Sequence, residues 1–321
     1  MAYLSAIKVS YFIVNPLLSK RTKNAQLRKV KTDRADAWHL AEMYYRGDVK
    51  PHRSWEECYT ELQHVTRQHE FMSSLYVQAK LNARALLDQV FPAYEEIFSD
   101  LFSLTALKTL QACISSESKE WTEVIRPFTG KSHSEQWIRS KAEHLNIVHK
   151  HWLKSERSLA QTMMLQSMIT LLLSMQEQLQ TIEEQIRLLA EKMPEIELIK
   201  SIPGLGDKLA ATIISEIGNA HQFEEAKQLV AFAGIDPGVQ SSRQFTATRN
   251  RISKRGSKRL RRALFLAVQC GLRRGCNGRI KRYYDKKRQE GKPYKVTVIA
   301  CANKLLHHIY AILKKGQPYQ V

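Results

Sequence analysis

Hydrophobic positions return with helical spacing along most of this chain. From Trp55 to Val90 the apolar side chains fall at Leu62, Val65, Met72, Leu75, Ala79, Ala83, Leu86 and Val90, steps that bring them to one face of a helix. Phe91-Pro92 ends that helix. Residues 103–160 predict shorter helices, with polar breaks at Ser115-Ser116 and Thr129-Gly130. Leu165, Met168, Leu172, Met175, Leu179, Ile182, Ile186, Leu189 and Met193 alternate in steps of three and four, an a/d seam that predicts a long coiled-coil helix. Its partner is either the same helix of a second subunit or the 55–90 helix folded back within the chain. Further helices are predicted from Asp207 to a stop at Gly218, from Gly256-Ser257 through Leu264 and Ala267, and from Lys295 to Leu313. One segment, Val9 to Pro16, is β-branched and aromatic and reads as a buried strand.

Charge changes the picture. The 321 residues carry 50 Lys and Arg against 31 Asp and Glu, a net charge of +19. A chain that is 43% hydrophobic can bury real cores, so it is not a disordered basic tail. The length suits two or more domains. No run of consecutive apolar residues approaches a membrane span, and the start lacks a signal-peptide layout, so no membrane partner is expected. The five cysteines are odd in number and form no CxxC pair, which fits a reducing cytoplasm better than a disulfide or zinc framework. The expected setting is the cytoplasm.

The positive charge is concentrated. Between Arg243 and Arg288 the only acid is Asp285, a footprint for polyanion binding. Arg249-Asn-Arg-Ile-Ser-Lys-Arg-Gly-Ser-Lys-Arg-Leu-Arg-Arg262 crowds cations around a predicted helix start. Arg243, Arg249, Arg251, Lys254, Arg255, Lys258 and Arg259 are therefore predicted nucleic-acid contacts. Arginines with Tyr283 and Tyr284 follow, a mixture suited to single strands or RNA by stacking, although two packed tyrosines explain it as well. Upstream, Ile202-Pro203-Gly204-Leu205-Gly206 is a tight turn between helices. Gly204, Gly206 and Lys208 would meet a phosphate there, because free N–H groups and the positive helix end face it. The pattern is that of a helix-hairpin-helix, which a packing corner would also produce. Between turn and basic block, Ala233-Gly-Ile-Asp-Pro-Gly238 is a loop followed by Ser241, Ser242 and Arg243. A serine there becomes a useful nucleophile only if cations stabilise the charge that develops on a phosphodiester.

Near the start, Lys31-Thr-Asp-Arg-Ala-Asp-Ala-Trp-His-Leu-Ala41 places Asp33 and Asp36 three residues apart, on one helix face. Paired carboxylates can share a divalent ion. Acids in a first helical turn also serve simply to favour the helix.

AGIDPGVQSSRQF, followed by RISKRGSKRLRRAL, resembles the carboxy-terminal domain of the DEDD-type transposases of the insertion-sequence one-ten group, and KTDRADAWHLA resembles the last two acids of that family's D…E…D-x-x-D set. The resemblance implies DNA transposition by strand cleavage and exchange, guided by an element-encoded RNA. It implies Mg²⁺ held at Asp33 and Asp36 in an RNase-H-like domain, and a serine nucleophile at Ser242, with Ser241 the alternative. The family's first Asp and its Glu have no counterpart, because residues 1–32 contain neither residue type. The chain thus reads as N-terminally truncated relative to the family.

The expected fold is mainly α. A partial RNase-H-like α/β remnant spans 1–54, a helical and coiled-coil region 55–195, and a helical C-terminal domain with the helix-hairpin-helix and serine loop 196–321. Expected partners are DNA, a guide RNA and further copies of the chain through the coiled coil. The competing function is a catalytically inactive nucleic-acid-binding remnant or regulator. A structural coiled-coil nucleoid protein would explain the heptads and charge but not KTDRADA.

Overall fold

The computed structural model describes residues 32–49, 56–115, 120–130, 133–156, 158–238, 241–242, 245–246, 251–273 and 277–320, with isolated positions in the first twenty. It divides into two compact units, Met1–Glu56 and Glu57–Val321. Most of the strand expected at 9–16 lies outside the described residues, and Tyr11, Phe12 and Val14 carry no strand pairing.

In the first unit, α1 (Asp33–Tyr45) is capped by Thr32, whose side chain accepts from the Ala35 amide at 3.2 Å. Its inward side chains are His39 and Met43.

The second unit is built on two long helices, α2 (Glu57–Val90) and α6 (Leu159–Ala190). Side-chain bonds join His69 to Glu183, Tyr76 to Gln176 and Gln89 to Gln161. Partners descend along one helix as they ascend along the other, so the pair is antiparallel. The heptad seam therefore closes within the chain. Leu165, Ile169 and Leu172 of α6 share one buried core with Ala79, Ala83 and Leu87 of α2. Each of these large side chains contributes about 1.5–3 kcal/mol by leaving water. Periodicity misplaced part of the α2 face: Leu75 is exposed, while Tyr59 and Thr66 are buried. Their polar atoms have partners, Glu195 for the Tyr59 hydroxyl and Leu62 O for Thr66 Oγ1.

Between the two long helices, α3 (Leu104–Ser115), α4 (Trp121–Ile125) and α5 (Glu135–Lys154) form a cap. Its core centres on Phe91, stacked on Trp152 at 4.9 Å. The Trp152 indole N–H donates to Val90 O at 2.8 Å, and the Tyr94 hydroxyl donates to Ala106 O at 2.6 Å.

The remaining helices are α7 (Pro194–Lys200), α8 (Asp207–Ile217), α9 (Ala226–Ala233), α10 (Lys258–Leu272), α11 (Gly278–Gln289) and α12 (Tyr294–Lys315). The hub is α12, packed against α9, α10 and α11. By length and composition α12 could cross a membrane, but half of its apolar window is buried in this unit. Val298, Ala302, Leu305, Leu306 and Ile309 form the core here. Two short strands, β1 (Ser241–Ser242) and β2 (Phe245–Thr246), pair antiparallel. The architecture is mainly α, as expected.

Candidate nucleic-acid interface

The expected metal ligands sit at the start of α1. Asp33 is exposed and Asp36 half-buried in its first turn. Among the described residues no group of three or more His, Cys, Asp or Glu side chains could hold a metal ion. Two acids on one helical turn are half of the family's set, so the residues present do not make its metal site.

The PGLG turn is a helix-turn-helix corner. Gly204 has φ +99°, and a Cβ there would lie 2.6 Å from the Gly271 backbone. Its glycine is thus required by conformation and by the close approach of α10. Gly206 is different: a Cβ there would meet nothing within 4 Å, so its surface is open. The corner is not purely cationic. Lys208 pairs with Glu183 of α6, and Lys200 pairs with Asp207 at 2.6 Å. Burial pushes the Glu183 carboxyl up, but hydrogen bonds from Lys208 and His69 outweigh it and hold the group below the ordinary value.

The serine loop rises from a hydrogen-bonded frame. Helix α9 stops at Gly234, left-handed at φ +66°. Two antiparallel arms follow, 235–238 and 251–254. Gly238 N donates to Arg251 O at 2.9 Å, Ser253 N to Asp236 O at 3.0 Å, and Lys254 N to Gly234 O at 3.1 Å. The Ser253 hydroxyl donates to Asp236 Oδ1 at 2.5 Å. These arms bracket the β1–β2 pair, in which Ser241 faces Thr246 and Ser242 faces Phe245. Arg243 and Arg249 lie outside the described residues. At the base of the frame, a Cβ on Gly256 would fall 1.8 Å from Phe232 O. Only glycine lets the RGS turn cross α9 there.

Ser257 then caps α10 and accepts from Leu260 N at 3.2 Å, as its position predicted. Its hydroxyl also donates at 2.7 Å to Glu216 of α8, a carboxylate only 3% exposed. Arg67 of α2 grips the same carboxylate through Nε at 2.8 Å and Nη2 at 3.2 Å. Glu216 thus ties the long helix pair, the corner helix and the serine frame together. Nothing in the local pattern around Glu216 marks it, because its partners come from sequence-distant helices.

The basic block separates into two kinds of cation. Arg259 and Arg262 converge on Glu70 of α2, at 2.7 and 2.9 Å. Arg261 donates to the carbonyls of Ala233 and Gly256 at 3.0 and 3.1 Å. These arginines hold the fold. Arg251, Lys254, Arg255 and Lys258 are exposed, and no described carboxylate pairs with them. Lys258 stands in the first turn of α10, which has no acid. A cation there opposes the helix dipole, so helix stability does not account for it.

These free cations adjoin a groove of about 960 Å³ between the arms and α12. Arg251, Lys254, Lys295 and Lys304 line it, with Tyr283 and an aliphatic floor of Val296, Ile299 and Ala300. The sequence singled out Tyr283, but the pairing of Lys295 and Lys304 with the serine arms depends on the tertiary fold.

Comparison with known proteins gives two family matches in chain order. Residues 1–92 match the DEDD transposase family of the IS110 type, and residues 196–285 match the family described as Transposase IS116/IS110/IS902. An uncharacterized 43.6 kDa protein of insertion element IS110 from Streptomyces coelicolor is 29% identical over 155 residues, 48% of this chain and 37% of that protein. The pilin gene-inverting protein of Moraxella bovis is 31% identical over 143 residues, 43% of this chain and 44% of its own. An uncharacterized 44.8 kDa protein of insertion element IS116 from Streptomyces clavuligerus is 25% identical over 301 residues, 92% of this chain and 74% of its own. The first two alignments span less than half the length of those relatives. With the N-terminal and C-terminal family domains both matched in order, the chain belongs to the IS110/IS116/IS902 transposase family.

Proposed function

We propose that this transposase-family chain binds DNA of its insertion element through the free cations around the serine frame, and that Ser242 carries strand exchange there. The observation that supports this most is the sorting of the basic block. Arg259, Arg261 and Arg262 are bound to Glu70 or to carbonyls, while the cations beside the serine arms have no acid to neutralise them among the described residues. Unpaired cations gathered on a hydrogen-bonded frame suit a polyanion.

The step is a transesterification. The Ser242 oxygen forms a bond to phosphorus as one phosphorus–oxygen bond to a deoxyribose breaks. The hydroxyl proton leaves to solvent, and the departing sugar oxygen takes one up. No redox change occurs, and the phosphodiester's energy is kept in the protein–DNA link until a second sugar hydroxyl reverses the step. Negative charge grows on the phosphoryl oxygens in the transition state, where fixed cations act most strongly. An element-encoded RNA as guide, assembly from several copies, and action at the bacterial nucleoid belong to the same reading.

A second reading has its own observation. Asp33 and Asp36 are the only acids before Glu42. With these two carboxylates alone to hold a metal, the residues of this domain would support nucleic-acid binding without strand exchange. Labelled element-end DNA, incubated with the chain and run on a denaturing gel, separates the two. A covalent adduct lost in Ser242→Ala and kept in Ser241→Ala supports strand exchange through Ser242. A shifted complex on a native gel with no adduct on the denaturing one supports the binding-only reading.

A further inference from the structure

The groove beside the serine frame has a character that phosphate binding alone does not explain. Its rim is cationic, through Arg251, Lys254, Lys295 and Lys304, yet its floor is aliphatic. Val296 is 53% exposed in that floor. Among the described residues no acid lines the groove. Lys304 Nζ stands 4.5 Å from the centre of the Tyr283 ring, and Lys287 Nζ stands 5.6 Å from it, so the aromatic ring and the charges are held as one surface. Among the described residues Lys254 is the one non-glycine residue with positive φ, at 53°. Backbone held in that sparsely occupied region persists where the surroundings impose it, and it concentrates at binding sites.

Duplex DNA presents phosphates to a protein and keeps its base faces stacked, so it would leave this floor unused. Unpaired nucleotides present both phosphates and flat apolar faces, and aromatic side chains within a basic channel bind them without regard to sequence. At about 960 Å³ the groove is at the upper end of the range for enclosed ligands, with room for a base together with its sugar and phosphate. Pro237 and Ile252, which bridge the two serine arms, also form one wall.

We infer that this groove holds unpaired DNA next to the strand carried by the serine frame, with a base on the aliphatic floor and Tyr283, and phosphates on the lysine and arginine rim. The inference rests on the strand-exchange reading for its choice of DNA. A transesterification beside the arms needs strands parted there, and the groove would keep one of them from re-pairing.

The test uses the full chain and fluorescence anisotropy with a labelled thymidine decamer, the matching duplex, and a uridine decamer. Tyr283→Ala is expected to weaken thymidine-decamer binding roughly tenfold, the scale of one lost base–aromatic contact. Val296→Asn, an exposed position whose change keeps the net charge, is expected to weaken it severalfold. Duplex affinity is expected to stay the same in both. Thermal melting accompanies each variant, and Val296→Asn decides if Tyr283→Ala lowers the melting temperature. Equal weakening on duplex and single strand, or no weakening, overturns the proposal. Stronger binding of the uridine decamer with the same variant losses also overturns it, by making the occupant RNA. No covalent chemistry enters this measurement, so its failure leaves the Ser242 adduct result standing, and the reverse also holds.

Discussion

Replacing Glu216 with Ala should loosen the serine frame and destabilise the whole second unit. The carboxylate is 3% exposed and accepts three hydrogen bonds, from Arg67 Nε and Nη2 and from Ser257 Oγ. Removing one member of a buried ion pair costs about 3–5 kcal/mol, mostly because the other charge is left unpaired. The Arg67 side chain is 40% exposed, so water can recover part of its solvation. That moves the expectation to the low end, about 3 kcal/mol. Glu216→Gln keeps the volume and one acceptor and should lose about 1 kcal/mol, the worth of an ordinary hydrogen bond. Urea unfolding followed by circular dichroism gives both values. Arg67→Ala completes a double-mutant cycle, in which residues in direct contact should couple by about 1–3 kcal/mol. Limited proteolysis should also cut sooner within 235–257 in Glu216→Ala. A loss below about 0.5 kcal/mol, the range of ordinary surface substitutions, together with zero coupling, would refute the role of Glu216 as the tie between the helix pair and the frame.

Other substitutions test the same structure. Gly256→Ala must move the Phe232 carbonyl, 1.8 Å from the new Cβ, and should cost at least the roughly 1–3 kcal/mol of overpacking, read as a lower melting temperature. Leu172→Asp places a charge on a fully buried seam position and should unfold the α2–α6 pair by several kcal/mol, seen as lost helical signal even in dilute monomer. The His308 imidazole is held below its ordinary value of 6.5 by burial first, then by Lys304, Arg279 and His307. The unfolded chain therefore takes up its proton at higher pH than the folded one. The stability this contributes is present above the ordinary value and is lost as pH falls through the lower folded value. His308→Asn should flatten the decline in melting temperature on the acid side of 6.5, and an unchanged slope would count against it.

Much of this fold was legible because helices announce themselves locally. Ser257 caps α10, Gly218 ends α8, and the Leu165–Leu172 face is buried, all as spacing predicts. The partner of the seam was not legible, since a heptad fits a second copy as well as α2. The answer came from the bonds of His69, Tyr76 and Gln89 to α6 and from the core that Ala79 and Ala83 share with Leu165 and Leu172. The roles expected of Ser242 and of Asp33 with Asp36 rest on family resemblance, because a loop serine and two acids in a first helical turn have ordinary structural explanations as well. The division of the cations was not legible at all. Arg259 and Lys258 are neighbours in sequence, and only the arrival of Glu70 from a helix far upstream separates their roles. Lys208 reads as a phosphate contact from its place at the turn, and its pairing with Glu183 of α6 is visible only in the fold.

That division of the cations is also the point most open to direct measurement. Affinity for duplex DNA should be titrated against salt for the chain and two sets of variants. Each phosphate neutralised contributes about 0.9 to the slope of log affinity against log salt. Replacing Arg251, Lys254, Arg255 and Lys258 together with Gln should reduce that slope by about 3–4 and leave the melting temperature unchanged. Replacing Arg259 and Arg262, which are bound to Glu70, should lower the melting temperature and leave the slope within about 1 of the parent. A slope that falls equally in both sets, or in neither, would contradict the assignment of the free cations as the DNA-binding face.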